Sequence, residues 1–378
     1  MKIFLTLEYP FHKFGYGGGS QILLGLAEGL ADVGHEIYII TSGVDEVGAA
    51  IKLPQCKFYG TVISYGRFLL NPTIVGLFTI FLLLVNRPKV VIGFGGESFF
   101  VSIACRLLNI QFYSFLAAPN LPEFSQLVNR RSNGNLYLQY LATTFATSVF
   151  TLSNYLSNQA INLWNIRRDK VVTIGGGISN IFLDKKTQPW SSHSLNGTFK
   201  LATVGRIAFN QKPLNILCET IHKLGDRVSS WSVIGSGQDL LSLKAQVKKL
   251  GLDQKVKFLG TLDSIEIKNQ LLMSDIIVLP STHESMMLTA YEAISQNRIT
   301  LVNDVADLHH NFQGYDSVVF FEDISINSFF NGINYSMDNF QRLSQESTKA
   351  ATFVKSRMNW SSCARKINRE ISKATYVN

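Results

Sequence analysis

The run Ile276-Ile277-Val278-Leu279-Pro280-Ser281-Thr282-His283-Glu284-Ser285-Met286-Met287-Leu288-Thr289-Ala290-Tyr291-Glu292-Ala293 carries, in order, an apolar strand, a turn, an acid and a helical segment. Four consecutive aliphatic residues read as a buried strand of a parallel sheet. Pro280-Ser281 ends it. Ser285 fits an N-cap, so a helix is expected from about Met286, with Glu292 about two turns further in. Strand, loop and helix in that order aim the helix's unpaired N–H groups at the loop, which suits an anion such as phosphate, with Glu284 beside it. Two glutamates alone are more often solvated acids on a surface helix, so the surrounding chain has to decide.

Outward from this run the same unit recurs. In the first half Ile3–Leu7, Ile37–Ile40, Val90–Ile92, Phe112–Leu116, Ser148–Leu152 and Val171–Ile174 read as short strands between helical stretches such as Ser20–Val33. In the second half Lys200–Gly205, Trp231–Gly235, Val256–Leu259, Ile276–Leu279, Arg298–Val302 and Val318–Phe321 do the same, with a helix over Asp239–Leu250. Such alternation predicts parallel sheets covered by helices on both faces. The fold class is α/β, as two doubly wound Rossmann-like domains facing a central cleft. Domains are expected at 1–184 and 199–378, joined by a Pro-, Ser- and Asn-bearing linker at 185–198. One last helix, about Ser344–Lys373, either stays with the second domain or crosses back to the first.

A chain of 378 residues is too long for one ordinary core, which agrees with two domains. Cys56, Cys105, Cys218 and Cys363 lie far apart without metal-ligand spacing and read as buried reduced thiols. The N-terminus runs into Glu8 after too short an apolar core for a signal peptide and reads as a first buried strand. Asn196-Gly197-Thr198 reads as a turn. The net charge of +8 suggests anionic company, spread evenly over both halves. No basic run is interleaved with aromatics, which argues against nucleic acid. Ile74–Val85 is strongly apolar but too short to span a bilayer, and reads as a buried helix.

Three further turns carry chemistry. Tyr16-Gly17-Gly18-Gly19-Ser20 follows the first strand and opens the first helix, where glycines let backbone approach an anion; it is not GxGxxG. Gly205-Arg206-Ile207-Ala208-Phe209-Asn210-Gln211-Lys212-Pro213 puts two cations at the carboxyl end of a parallel strand, where ligands of such sheets bind. Arg can grip a phosphate bidentately and Lys adds a point charge. Gly235-Ser236-Gly237 is a third strand-to-helix turn. His309-His310 is a tempting metal pair, but a solvated loop is the better reading, and no metal or cofactor is expected.

Together these pieces resemble the GT-B glycosyltransferases of the large retaining family four. The landmarks occur in order: Gly17-Gly18, Gly34-His35-Glu36-Ile37, Gly175-Gly176-Gly177-Ile178 with Phe182, Val204-Gly205-Arg206 with Lys212, Gly235–Gly237, Phe258-Leu259-Gly260, and Glu284 with Glu292. The resemblance implies that Arg206 and Lys212 hold a donor diphosphate and that Glu292 bonds the ribose. It implies that Glu284 contacts the transferred sugar, with the amides of Met287 and Leu288 near the sugar or phosphate. Leu259 would lie near the base, Gly235 near the donor, and Gly17 and Gly18 would close on the phosphate. Residues 1–184 would be the acceptor domain and 199–378 the nucleotide-sugar donor domain. The implied partners are a nucleotide-sugar donor, a glycan or lipid-linked acceptor and an anionic membrane surface, in the cytoplasm or peripherally on the inner face of the membrane. The apolar Ile74–Val85 and the Arg130-Arg131 pair motivate the membrane expectation. A catalytically weak paralogue that only binds nucleotide or a partner is the alternative. Three departures stand out. Ser285-Met286-Met287 replaces a usual Gly-Phe-Gly. Phe115–Pro119 lacks the usual histidine. Ala306-Asp307-Leu308-His309-His310 lacks the glycines and glutamate of "GG..E".

Overall fold

The computed structural model describes residues 1–7, 17–42, 53, 55–61, 70–117, 133–184 and 197–375. The chain forms two compact units, one of Met1–Gly177 with Trp360–Asn378 and one of Ile178–Asn359. Residues 185–196 of the expected linker, and Arg130, Arg131, Ala118 and Pro119, lie outside the described residues.

The first unit is built on seven parallel strands: β1 (Lys2–Leu7), β2 (Glu36–Thr41), β3 (Cys56–Gly60), β4 (Val90–Gly93), β5 (Gln111–Leu116), β6 (Val149–Thr151) and β7 (Val171–Thr173). Their order is β3-β2-β1-β4-β5-β6-β7. Ile3 stands opposite Ile37 on one side and Val90 on the other, and Leu5 opposite Ile39 and Ile92. Strand β3 was not among the expected strands. Cys56 is its one fully buried residue, as befits an edge, and an edge strand shows little apolar pattern.

The helix Leu70–Asn86 corrects the reading of Ile74–Val85 as simply buried. Val75, Thr79, Leu82 and Leu83 are buried, while Leu77, Phe81, Leu84 and Val85 are exposed. An apolar run has no polar face to mark the outside, so composition hides which stripe faces the core.

The second unit has six parallel strands: β8 (Phe199–Val204), β9 (Val228–Ile234), β10 (Val256–Gly260), β11 (Ile276–Leu279), β12 (Ile299–Val302) and β13 (Val318–Phe320), in the order β10-β9-β8-β11-β12-β13. Strand β11 is buried throughout and pairs with β8 and β12. Trp231 fills the core and donates from Nε1 to Thr203 Oγ1 at 3.0 Å.

The single last helix expected over Ser344–Lys373 is two helices, Phe340–Arg357 and Trp360–Thr375, broken at Met358-Asn359. The first buries Leu343, Ala350, Ala351 and Val354 in the second unit. The second belongs to the first unit and lies along the helix Gly17–Asp32. There Ser361 Oγ donates to Asp32 at 3.0 Å and His35 Nε2 lies 3.2 Å from Asn368 Oδ1. All four cysteines are buried and none forms a disulfide. Burial pushes the Cys56 and Cys218 thiols up to about 12.

Candidate active site

In the second sheet the strand order reverses between β8 and β11. Their outgoing chains run to opposite sides, which leaves room above the carboxyl ends. The two loops that leave there are 205–213 and 280–287.

The first loop is held by backbone. Gly205 N–H donates to Ile234 O at 2.9 Å and Ile207 N–H to Ser236 O at 2.9 Å. Asp239 accepts from the Phe209 N–H at 2.7 Å. The chains approach so closely that a Cβ at Gly235 (φ +129°) would lie 2.0 Å from Gly205 O. Gly235 also spends its N–H on Gly260 O at 2.7 Å. Its glycine character therefore serves the contact between the two loops.

That scaffold places two cations differently. Arg206 is exposed at the mouth of the loop. Lys212 is buried, and its Nζ donates to Ser281 Oγ and to Glu284 Oε1, the latter at 2.6 Å. Ser281, fully buried, donates in turn to Glu284 Oε1 at 3.0 Å. Asn303 fixes the Ser281 carbonyl at 2.8 Å, and Thr282 N–H bonds Gln211 O at 2.8 Å. The two loops are thus sewn together around a lysine, a serine and a glutamate. Burial lowers the pKa of the neighbouring His283, with Glu284 opposing and Lys212 reinforcing that effect. Thr282 Oγ1 lies 2.7 Å from its Nδ1.

The following helix departs from expectation. It spans Leu288–Ser295, and Met287, not Ser285, occupies the N-cap, without a side-chain cap bond. The Met287 side chain is buried in the core beside Ala290 and Tyr291, and this anchor sets where the helix starts. Leu288 N–H closes on Met286 O at 3.0 Å, so that amide is engaged locally. The Met287 N–H has no partner among the described residues. Glu292 is the fifth helical residue, little more than one turn in. Its carboxylate has no partner among the described residues, and burial pushes it up to about 7.

Leu259 sits half-buried on β10, next to Gly260. In the first unit Gly17 and Gly18 open the helix Gly17–Asp32, and a Cβ at Gly18 would meet nothing within 4 Å. His309 stacks edge-on against Phe320 at 4.9 Å, and no group of three or more metal-ligating side chains occurs among the described residues. The residues before it, Ala306 and Asp307, are left-handed, with φ +54° and +63°.

Three residues of these sites escaped sequence reading. Ser281 and Asp239 are of types too common to single out. Glu97, buried after β4 at the order reversal of the first sheet, accepts from Thr6 Oγ1 at 2.9 Å and Gly95 N–H at 3.2 Å. The Gly93-Phe94-Gly95-Gly96-Glu97 turn was the available signal.

Comparison with known proteins agrees with this architecture. Residues 184–367 match the family model for glycosyl transferases group 1. An uncharacterized glycosyltransferase, MJ1607, of Methanocaldococcus jannaschii is 26% identical over 331 residues, covering 82% of each chain. HepE (Alr3699) of Anabaena, solved in complex with UDP and glucose, superposes with a TM-score of 0.76 at 17% identity, covering 98% of this chain and 99% of its own. WaaG, a glycosyltransferase involved in lipopolysaccharide biosynthesis, gives 0.75 at 14% identity, covering 96% and 98%. Residues 184–367 thus match the glycosyl transferases group 1 family, and the chain as a whole has the GT-B fold of the glycosyltransferases on which it superposes.

Proposed function

We propose that the protein is a retaining, metal-independent hexosyltransferase. It moves a sugar from a nucleoside-diphosphate donor to a glycan or lipid-linked acceptor, in cell-surface polysaccharide or glycoconjugate synthesis on the cytoplasmic side. The observation that carries this is the Lys212–Ser281–Glu284 cluster, with exposed Arg206 beside it at the order reversal of the second sheet. HepE, bound to UDP and glucose, and WaaG, in lipopolysaccharide synthesis, support the donor and pathway class by similarity.

The reaction breaks the bond from the anomeric carbon to the β-phosphate oxygen. Negative charge builds on the departing diphosphate and positive charge on the sugar. Arg206 and Lys212 stabilise the diphosphate, and the Met287 amide adds a dipole at the helix start. Glu284, oriented by Ser281 and Lys212, takes a sugar hydroxyl, and Glu292 takes the ribose. The acceptor hydroxyl attacks from the face the diphosphate leaves, and a departing phosphate oxygen takes its proton. No protein nucleophile is needed. No Asp-x-Asp occurs in the chain, which supports a route without a metal-bridged diphosphate.

Calorimetry with UDP, GDP and ADP tests the donor site. Arg206→Ala should weaken diphosphate binding and leave the melting temperature unchanged, because the side chain is exposed. Lys212→Ala should weaken binding and also lower stability by about 1–3 kcal/mol, since Glu284 loses its buried partner. Each should cut turnover about 10²–10³-fold. Undiminished affinity in both variants would refute the phosphate assignment. Ser285 and Met287, standing where the resembled family has glycines, favour the weak-paralogue reading. Nucleotide binding without release of nucleoside diphosphate from donor and acceptor would establish that alternative.

A further inference from the structure

The helices Leu70–Asn86, Ser98–Leu107 and Asn133–Phe145 pack side by side on one face of the first sheet. Each returns the chain between parallel strands, so all three end at the same edge of the sheet, opposite the carboxyl ends of the strands. Their ends expose Leu84, Val85, Leu107 and Phe145, with Phe81 one turn earlier; Leu107 is 81% exposed. The three helices contain no acidic residue at all. Arg87, Lys89 and Arg106 are exposed around the same ends, and Arg106 lies 6.0 Å from the Phe145 ring. Nearby, Asp169 is held by Arg167 at 2.5 Å, while Arg168 is exposed.

We infer that this edge of the first unit docks on an anionic phospholipid bilayer. A bilayer matches both halves of the pattern: acyl chains receive the aliphatic and aromatic side chains, and headgroup phosphates receive the cations. A second copy of the chain fits poorly, because two cationic rims would face each other. A nucleic acid would use the cations and leave the leucines without a partner. No helix among the described residues is long and apolar enough to cross a membrane, so the attachment is one of surface adsorption. The inference rests on this surface alone and not on the proposed transfer, and its test is independent of catalysis.

The full chain is floated with phosphatidylcholine vesicles, with and without phosphatidylglycerol, at low and at about 0.5 M salt. Binding is expected on anionic vesicles at low salt and should fade with salt, because the charges act over about 10 Å at 0.1 M. Lys89→Gln with Arg106→Gln should weaken it about 30-fold, roughly fivefold per cation. Phe81→Ser with Leu107→Ser should weaken it at least as much. All four side chains are exposed or near-exposed, so these variants keep the fold. Leu241→Ser, on the exposed surface of the second unit, should bind like the parent chain. Absence of binding, equal binding to neutral vesicles, or insensitivity to both double variants overturns the inference. So does a dimer in sedimentation that Leu107→Ser dissolves, which would make a second copy the occupant. UDP, GDP and ADP calorimetry on the same variants separates the claims: lost vesicle binding with retained nucleotide binding removes the docking face only.

Discussion

Glu292 shows how much a residue's place governs its charge. It stands in the first turns of the Leu288–Ser295 helix, and burial raises its carboxyl to about 7. An unfolded glutamate titrates near 4.3. Below that pH both states are neutral and burial costs nothing. Between about 4 and 7 the unfolded chain releases its proton first, so stability falls as pH rises, and the deficit is complete above 7. Glu292→Gln should therefore raise the melting temperature most at pH 8, by the equivalent of roughly 2 kcal/mol, and hardly at pH 4. Parallel denaturation at the two pH values checks this. In the proposed ribose role, the ionised form is the better acceptor. Parent affinity for nucleotide should then climb from pH 6 to pH 8, while Gln flattens the profile. A flat profile in the parent would separate Glu292 from the ligand.

At the scale of single elements, the turn after β12 keeps a backbone shape that its residues do not favour. Ala306 and Asp307 are both left-handed, where the resembled family carries two glycines. For alanine that conformation costs roughly 1–2 kcal/mol, and aspartate bears it better. Ala306→Gly should relieve the strain, less about 0.5–1 kcal/mol for the freer unfolded chain. A net gain of up to about 1 kcal/mol is expected in urea denaturation, with no change in slope. A loss of stability would mean that the buried Ala306 methyl contributes more than its backbone costs. The glycines missing from the sequence were thus not a loss of the turn. The helix start behaves in the same way: a buried Met287 set it at Leu288, overriding the capping preference of Ser285.

At the scale of the whole molecule, the last helix is seated in the first unit around one large side chain, Trp360. Trp360 occupies the space above Gly25, Gly29 and Gly177, where any Cβ would lie within 2.7 Å of it. Gly25 and Gly29, four residues apart on the helix Gly17–Asp32, make this room, Gly25 against the indole and Gly29 against the Trp360 carbonyl. Trp360→Ala should cost about 3–5 kcal/mol, as large aromatic truncations in cores do. Gly25→Val should cost comparably, because the indole has nowhere to move. Urea titrations of both variants, followed by the fluorescence of the remaining tryptophans for Trp360→Ala, give the comparison. A change below about 1 kcal/mol in both would show that the helix Trp360–Thr375 is held elsewhere, at His35–Asn368 and Ser148–Glu370.

Periodicity and turn chemistry are local, so the chain alone determined the alternation of strand and helix, the two parallel sheets and the positions of Arg206, Lys212, Glu284 and Glu292. Burial and contact depend on residues far apart in sequence, and those only the tertiary structure decided. Lys212 and Glu284 are 72 residues apart, and nothing local says that Ser281 joins them. The exposed stripe of Leu70–Asn86 was illegible because every face of that helix is apolar, and only packing selects the buried one. The break at Met358-Asn359 was illegible because no proline or glycine marks it. It exists because the two halves of that segment bury their apolar faces in different units, and a helix cannot do both without interruption.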